Sequence, residues 1–204
     1  MVAAPRIRCY VPGDLEALYA ISLATGLAGR DAAHLYADPR MMGHIYAAPY
    51  AVLAPDAVLV AENREAVVGY AAGSRATPAW EDRLERRWWP HLRARYPDPG
   101  DKAARATTHD QRRAAMIHRP ARTPRSVATR FPAHLHLNLL PVAQGQGLGR
   151  RLFDAWRAAQ NAGPMHVGVN RSNENALRFW GRLGFGVLTG ADIPEGRTVW
   201  MGRG

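Results

Sequence analysis

The sequence predicts a mixed α/β (α+β) fold, and three observations within one stretch predict it. Residues His134 to Leu139 alternate in character, with His134, His136 and Asn138 on one side and Leu135, Leu137 and Leu139 on the other. That period of two is the signature of a strand. After Pro141 comes a glycine-rich turn, QGQGLG, with glycines at 145, 147 and 149. Leu148, Leu152, Phe153, Trp156 and Ala159 then recur at helical spacing. Strand, glycine turn and helix form one unit.

The other elements follow in order. Arg6 to Val11 reads as a strand broken by Pro12-Gly13-Asp14. Asp14 is placed to cap a helix running to about Thr25, with Leu15, Leu18 and Ile21 facing inward. A second helical region spans about 32–46 and is interrupted at Asp38-Pro39. Val58 to Ala61 and Val67 to Gly73 read as a hairpin turning at Glu62 to Glu65. Trp80 to Tyr96 reads as a helix with Trp80, Leu84, Arg87 or Trp88, and His91 along one face; Pro97, Pro99 and Gly100 end it. A further helix is expected from Asp101 to about Ile117. Neither an internal repeat nor a Gly/Ser linker is present, so residues 1–204 read as one domain carrying a basic helical insertion at about 75–130.

Composition narrows the class. A chain of 204 residues that is 47% hydrophobic can bury a sizeable core. No apolar run reaches the roughly 18 residues of a membrane span, and the N-terminus lacks the apolar centre of a secretory signal. The expectation is a cytoplasmic protein with no membrane partner. The single cysteine, Cys9, excludes an intrachain disulfide; lying in a strand, it is expected to be an inert buried thiol. Net charge is +10, and residues 75–130 hold fourteen basic residues against six acidic ones, a local excess of +8. Such a surface attracts an acidic coenzyme or acidic protein as readily as nucleic acid. Arginine in place of lysine, with abundant alanine, also fits a GC-rich genome.

The glycine turn points to an anion. Without Cβ atoms its N–H groups can approach a ligand closely, and the helix that follows starts with unpaired N–H groups and partial positive charge. Arg150 and Arg151 add full charges there. A phosphate or pyrophosphate is the natural guest. The dinucleotide fingerprint and the P-loop are both excluded by spacing. What remains is Q-x-x-G-x-G, carried by Gln144, Gly147 and Gly149. It resembles the acetyl-CoA loop of the GNAT N-acetyltransferases.

Residues 167–185, VGVNRSNENALRFWGRLGF, resemble the last block of the same family, with Asn173, Ala176, Phe179 and Leu183-Gly184-Phe185 in matching positions. The resemblance implies the acyl-CoA N-acyltransferase fold, a central, mostly antiparallel sheet flanked by helices. Over nearly the whole chain, WEDRLERRWWPHLRARYP, HRPARTP and FPAHLHLNLLP are similar to the acetyltransferase-like C-terminal domain of bifunctional O-GlcNAcases and its free-standing bacterial relatives. No carboxylate pair of a glycosidase accompanies them, so only the acetyltransferase half carries over.

The implied reaction moves an acetyl group from acetyl-CoA, a co-substrate, to an amine of a protein lysine or a small molecule. By the resemblance, Leu137, Asn138 and Leu139 meet the pantetheine arm. Gln144, Gly145, Gln146, Gly147, Leu148, Gly149 and Arg150 hold the pyrophosphate, and Asn173 touches the arm. The family's thiolate-protonating tyrosine is replaced by Trp180, whose indole is either a coenzyme contact or a core aromatic but no practical acid. A slow enzyme and a coenzyme-binding module without catalysis are therefore both open. His134 and His136 share a strand face, and either is a base or a packed, hydrogen-bonded ring; His136, nearer the implied thioester, is the candidate catalytic residue. No third ligand stands at metal-binding spacing, so no metal is expected. Nucleic-acid binding is the least favoured reading.

Overall fold

The computed structural model describes residues 5–100 and 108–204. Strand β1 (Arg6–Cys9) leads to helices α1 (Leu15–Ala24), α2 (Met41–Tyr46) and α3 (Ala48–Leu53). The hairpin β2 (Val58–Glu62) and β3 (Val67–Ser74) follows, then α4 (Thr77–Arg87), α5 (Trp89–Arg95), α6 (His109–His118) and α7 (Arg125–Arg130). Next come β4 (Ala133–Leu139), α8 (Leu148–Ala159), β5 (Met165–Asn170), α9 (Glu174–Arg182), β6 (Gly186–Val187) and β7 (Thr198–Arg203). The strands form one sheet in the order β1-β2-β3-β4-β5-β7-β6. Every pairing is antiparallel except β4 with β5.

The alternation read in the sequence sorts side chains to two faces. Register pairs Tyr70 with Asn138 and Ala72 with His136, and Val60 with Tyr70, so these residues share one face. It packs under α1 to α6, where Leu18, Ile21, Tyr50, Trp80, Trp89 and Ile117 join one core cluster. The opposite face carries Leu59, Ala71, Leu135, Val167 and Val169 beneath Leu152, Phe153, Trp156 and Trp180 of α8 and α9. The Trp156 indole donates to the Ala57 carbonyl at 2.9 Å, so this large ring is buried without an orphaned donor. No helix among the described residues is long and apolar enough to cross a membrane.

Several sequence expectations are corrected. The helix expected from Trp80 to Tyr96 is two helices, because Pro90 has no N–H to continue the ladder and Trp88 breaks to φ −120°. The break rotates the buried stripe, so Trp89 and Leu92 are buried and His91 is exposed. The helix expected from Asp101 begins at His109, capped by reciprocal bonds between Thr108 and Gln111; its earlier part lies outside the described residues. Ala159 is exposed at the end of α8. Cys9 lies in a strand but is exposed rather than buried, because β1 is a sheet edge.

Asp14 does not cap α1. Its carboxylate instead accepts two bonds from Arg8, at 2.6 and 2.8 Å, and one from the Val11 N–H. Arg8 Nε also reaches Glu62 Oε2 at 2.7 Å, so this guanidinium ties β1 to the turn before α1 and to β2. The Arg8 bonds hold the Asp14 carboxyl below its ordinary pKa against the cost of burial. A folded-state pKa below the unfolded value stabilises the fold above about pH 4, and that stability is lost as pH falls through the folded pKa. Arg8→Met should therefore cost about 2 kcal/mol at neutral pH and flatten the acid limb of stability below pH 4. Urea unfolding across pH measures both; an unchanged midpoint would show that the Arg8 fork contributes nothing.

Candidate active site

Only two residue pairs join β4 to β5, Ala133 with Met165 and His134 with His166. Beyond them β4 continues along β3 as far as Leu139, and β5 continues along β7 as far as Asn170. From Leu135 onward the two strands diverge, leaving the gap-facing peptide groups of β4 without a strand partner. A cavity of about 920 Å³ runs over the polar face beside this gap, lined by His134, His136, Asn138, Tyr46, Tyr50 and Asn173 among others. On β5 the same face presents His166, Gly168 and Asn170.

At the far end of β4 the glycine loop takes the form an anion requires. Gly145 and Gly147 adopt φ of +75° and +73°, and an added Cβ at either would point into open space. Gly147 caps α8 with no side-chain acceptor, so the first N–H groups of that helix lack a side-chain partner. Gln144 turns back to donate to the Leu139 carbonyl at 2.9 Å, and Gln146 donates to the Val142 carbonyl at 3.1 Å. These side chains fix the loop and leave its backbone free. Gly149 serves packing instead, since a Cβ there would meet the Phe179 ring at 2.9 Å and its absence lets α8 and α9 approach. Leu148 is a core side chain. Arg150 is exposed beside the loop, whereas Arg151 reaches away to the Pro5 carbonyl.

Asn173 caps α9, its side-chain oxygen accepting from the Ala176 N–H at 3.0 Å. Asn138 donates to Thr25 Oγ1 at 2.6 Å, and Thr25 in turn donates to the Ile21 carbonyl, so the Asn138 side chain fastens β4 to the end of α1.

The two histidines of β4 differ sharply. Thr77 donates its hydroxyl proton to the Pro132 carbonyl at 2.8 Å, so it accepts from His134 Nδ1 at 2.7 Å. His134 Nε2 must then accept, and the Tyr50 hydroxyl donates to it at 2.6 Å. Both ring nitrogens of His134 are spoken for, and burial, with His136 and His166 nearby, holds its pKa well below the ordinary value. His134 is a fixed, neutral member of the core. The His136 ring has no hydrogen-bond partner among the described residues and lines the cavity between the rings of Tyr46 and Tyr50, at 5.6 and 5.7 Å. Burial, helped by His166, pushes its pKa down to about 4, so it is neutral at physiological pH. His166 donates from Nδ1 to the Phe131 carbonyl at 2.6 Å.

The structure brings His136, Asn138 and Asn173 to one cavity, with the glycine loop at the end of the same strand. It does not bring Trp180 there. That ring is buried against Phe153, Phe179 and Phe185 at centroid distances of 6.0, 5.0 and 5.0 Å, because helical spacing aims it at the α8 core. Trp180 is therefore a core aromatic, apart from the residues that line the cavity. Sequence reasoning missed Tyr46, Tyr50, Thr77 and Arg113, which line the cavity from helices distant in sequence. No spacing signal marked them. Among the described residues no group of three His, Cys, Asp or Glu could hold a metal ion.

Known proteins share this fold. Residues 101–196 match the family described as the acetyltransferase (GNAT) domain. The crystal structure of SsHAT is 33% identical, with 98% of each chain covered and a TM-score of 0.88. More distant in sequence is yncA, a putative acetyltransferase from Salmonella typhimurium solved with its cofactor acetyl-CoA. It is 20% identical over 98% of this chain and 94% of that one, with a TM-score of 0.53. A GNAT superfamily phosphinothricin acetyltransferase from Sinorhizobium meliloti, in complex with acetyl-CoA, is 18% identical over 98% and 88% of the two chains, with a TM-score of 0.55. The last two share the fold; the close, full-length likeness to the first, together with the family match, means that this chain belongs to the GNAT superfamily of acetyltransferases.

Proposed function

We propose that the protein transfers an acetyl group from acetyl-CoA to an amine held in the cavity over β4. The observation that carries this reading is the β4–β5 gap, which lies beside the cavity holding His136, a ring without a partner among the described residues, and has the glycine loop at the end of the same strand. In it the peptide groups of Leu137, Asn138 and Leu139 receive the pantetheine arm, and Asn173 faces it from α9. Backbone N–H groups between Gln144 and Arg150 take the pyrophosphate, with the Arg150 charge beside them. The chain acts as one GNAT domain with residues 75–130 as a helical insertion; the core that Trp80 and Ile117 share with Tyr50 and Tyr70 supports this. The free, exposed thiol of Cys9 favours a reducing, cytoplasmic compartment.

The amine nitrogen attacks the thioester carbonyl carbon; the C–N bond forms, the C–S bond breaks, and the nitrogen loses a proton. With a pKa of about 4, His136 cannot hold a proton taken from an ammonium whose pKa is near 10. Its role is to accept a hydrogen bond from the neutral amine and aim the lone pair. Water protonates the departing thiolate, since no phenol stands at position 180. That same absence favours one second reading, a coenzyme-binding module without turnover. Nucleic-acid binding loses support because Arg93, Arg95, Arg119 and Arg122 are engaged by Glu85, Asp38, Asp98 and Asp82.

Acetyl-CoA should raise the melting temperature, equivalent to about 2.7 kcal/mol at a hundredfold excess over Kd. Gly147→Asp should abolish the shift by placing a negative side chain in the loop; an undiminished shift would move the coenzyme elsewhere.

His136→Ala should lower single-turnover transfer to a panel of amines by about 10²-fold at matched coenzyme occupancy. Because His136 is already neutral, log kcat/KM should climb steadily toward the pKa of the amine, without an inflection near 6.5. An inflection there that disappears in His136→Ala would contradict the role given to this ring. Coenzyme bound with no transfer in wild type would leave the binding module standing.

A further inference from the structure

Arg113 of α6 projects into the cavity and lacks an acidic partner among the described residues. Its Nη1 donates to the Tyr46 hydroxyl at 2.7 Å and its Nε to the Tyr36 hydroxyl at 3.2 Å, with Met116 Sδ at 3.6 Å from Nη1. Among those residues its Nη2 has no hydrogen-bond partner, and no carboxylate comes within 4.0 Å of the guanidinium. Four other arginines of the same segment, Arg93, Arg95, Arg119 and Arg122, each pair with an Asp or Glu, and Arg75, Arg83, Arg86, Arg87, Arg125 and Arg130 are exposed to water. The acids on the cavity wall are already engaged, Glu85 by Arg93 and Glu81 by the Thr123 N–H. Arg197 adds a further positive charge at the mouth. The field is felt locally: burial, together with Arg112, Arg113 and Arg197, lowers the pKa of His109.

A guanidinium drawn out of water without a counter-ion is costly, and two phenol oxygens do not neutralise it. Its planar fork is suited to a carboxylate, which can accept two parallel bonds. The position of Tyr46 says where such a group would sit relative to the chemistry. The Tyr46 hydroxyl lies on Arg113, and the guanidinium carbon is 5.4 Å from its ring centroid. The same ring meets His136 edge to face at 5.6 Å. One aromatic ring thus separates a cation with no counter-ion among the described residues from the imidazole assigned to the amine. We infer that the acceptor is an amine that also carries a carboxylate, a free amino acid in the simplest case, and that Arg113 binds the carboxylate while the amine lies at His136. This rests on the acetyl-transfer reading and names its acceptor class.

The test measures acetylation of matched acceptors by wild type, Arg113→Met and Arg113→Lys. The acceptors are phenylalanine, phenylalaninamide and phenethylamine; arginine and agmatine; lysine and cadaverine; and the α-amides of aspartate and glutamate, which keep only a side-chain carboxylate. Wild type should favour the acids over their amides and amines by about tenfold to a hundredfold in kcat/KM. Arg113→Met should bring the acids down to the level of their amides, through KM, and Arg113→Lys should restore part of the preference. Activity on the aspartate and glutamate α-amides alone would assign the bound group to the side chain and still support the inference. Equal use of acids and amides by wild type would overturn it, as would an equal loss on every amine in Arg113→Met. A smaller acetyl-CoA melting shift in Arg113→Met would instead hand the arginine to a coenzyme phosphate and overturn it too. Should no amine be acetylated while coenzyme binds, the acetyl-transfer reading fails by itself. The carboxylate site is then read from melting shifts with coenzyme A present. A shift by amino acids, absent for their amides and in Arg113→Met, sustains it; no shift by any carboxylate refutes it.

Discussion

The parting of β4 and β5 after two residue pairs is the constraint on which the rest of the site depends. A sheet normally satisfies every peptide group of an interior strand. Here an interior strand is paired on one side only for most of its length, which leaves peptide groups for water or a bound molecule to satisfy. The fold makes that defect tolerable by anchoring the two strands independently. β4 is held along β3 from His134 to Leu139, and β5 along β7 from Met165 to Asn170. Beneath the gap, α8 and α9 pack across both strands through Phe153, Trp156 and Trp180, with Gly149 admitting the Phe179 ring. The close fit of α8 to α9 keeps the loop at the mouth of the gap in place.

On the other side of the sheet, a division of labour between neighbouring histidines follows from what faces each of them. His134 sits under α3 and α4, where Tyr50 and Thr77 occupy both of its nitrogens. Two residues along the strand, His136 sits under Tyr46 and open space, and its nitrogens are left for a guest. Both are neutral because both are desolvated. Only the second has ring nitrogens without a partner among the described residues, as the proposed role requires. The basic segment around α4 to α6 supplies the wall of this chamber; Arg93, Arg95, Arg119 and Arg122 are held in ion pairs, and the guanidinium of Arg113 faces the interior with no acidic partner among the described residues.

Much of this was legible in the chain. The alternation from His134 to Leu139 named the two faces of β4, because a period of two leaves no other assignment. The glycine loop declared itself by residues whose left-handed backbone at 145 and 147 few other side chains adopt. Features decided by a distant partner were not legible. Asp14 looks like a cap until Arg8 is seen to claim it. Cys9 looks buried until β1 proves to be an edge. Trp180 aligns with a phenol in the motif, yet its ring is turned into the α8 core. Arg113 is one arginine among many in a basic stretch; only the tertiary packing shows that no acid among the described residues pairs with it.

The central claim is that the coenzyme completes the open side of β4 and the loop beyond it. Amide hydrogen exchange, with and without saturating acetyl-CoA, tests it most directly. The account predicts that the gap-facing amides of Leu137 and Leu139 and those of Gly145 to Arg150 slow together on addition of coenzyme, while those of β1 and β6 keep their rates. Slowing elsewhere, with the open side of β4 and the loop unchanged at saturation, would contradict it.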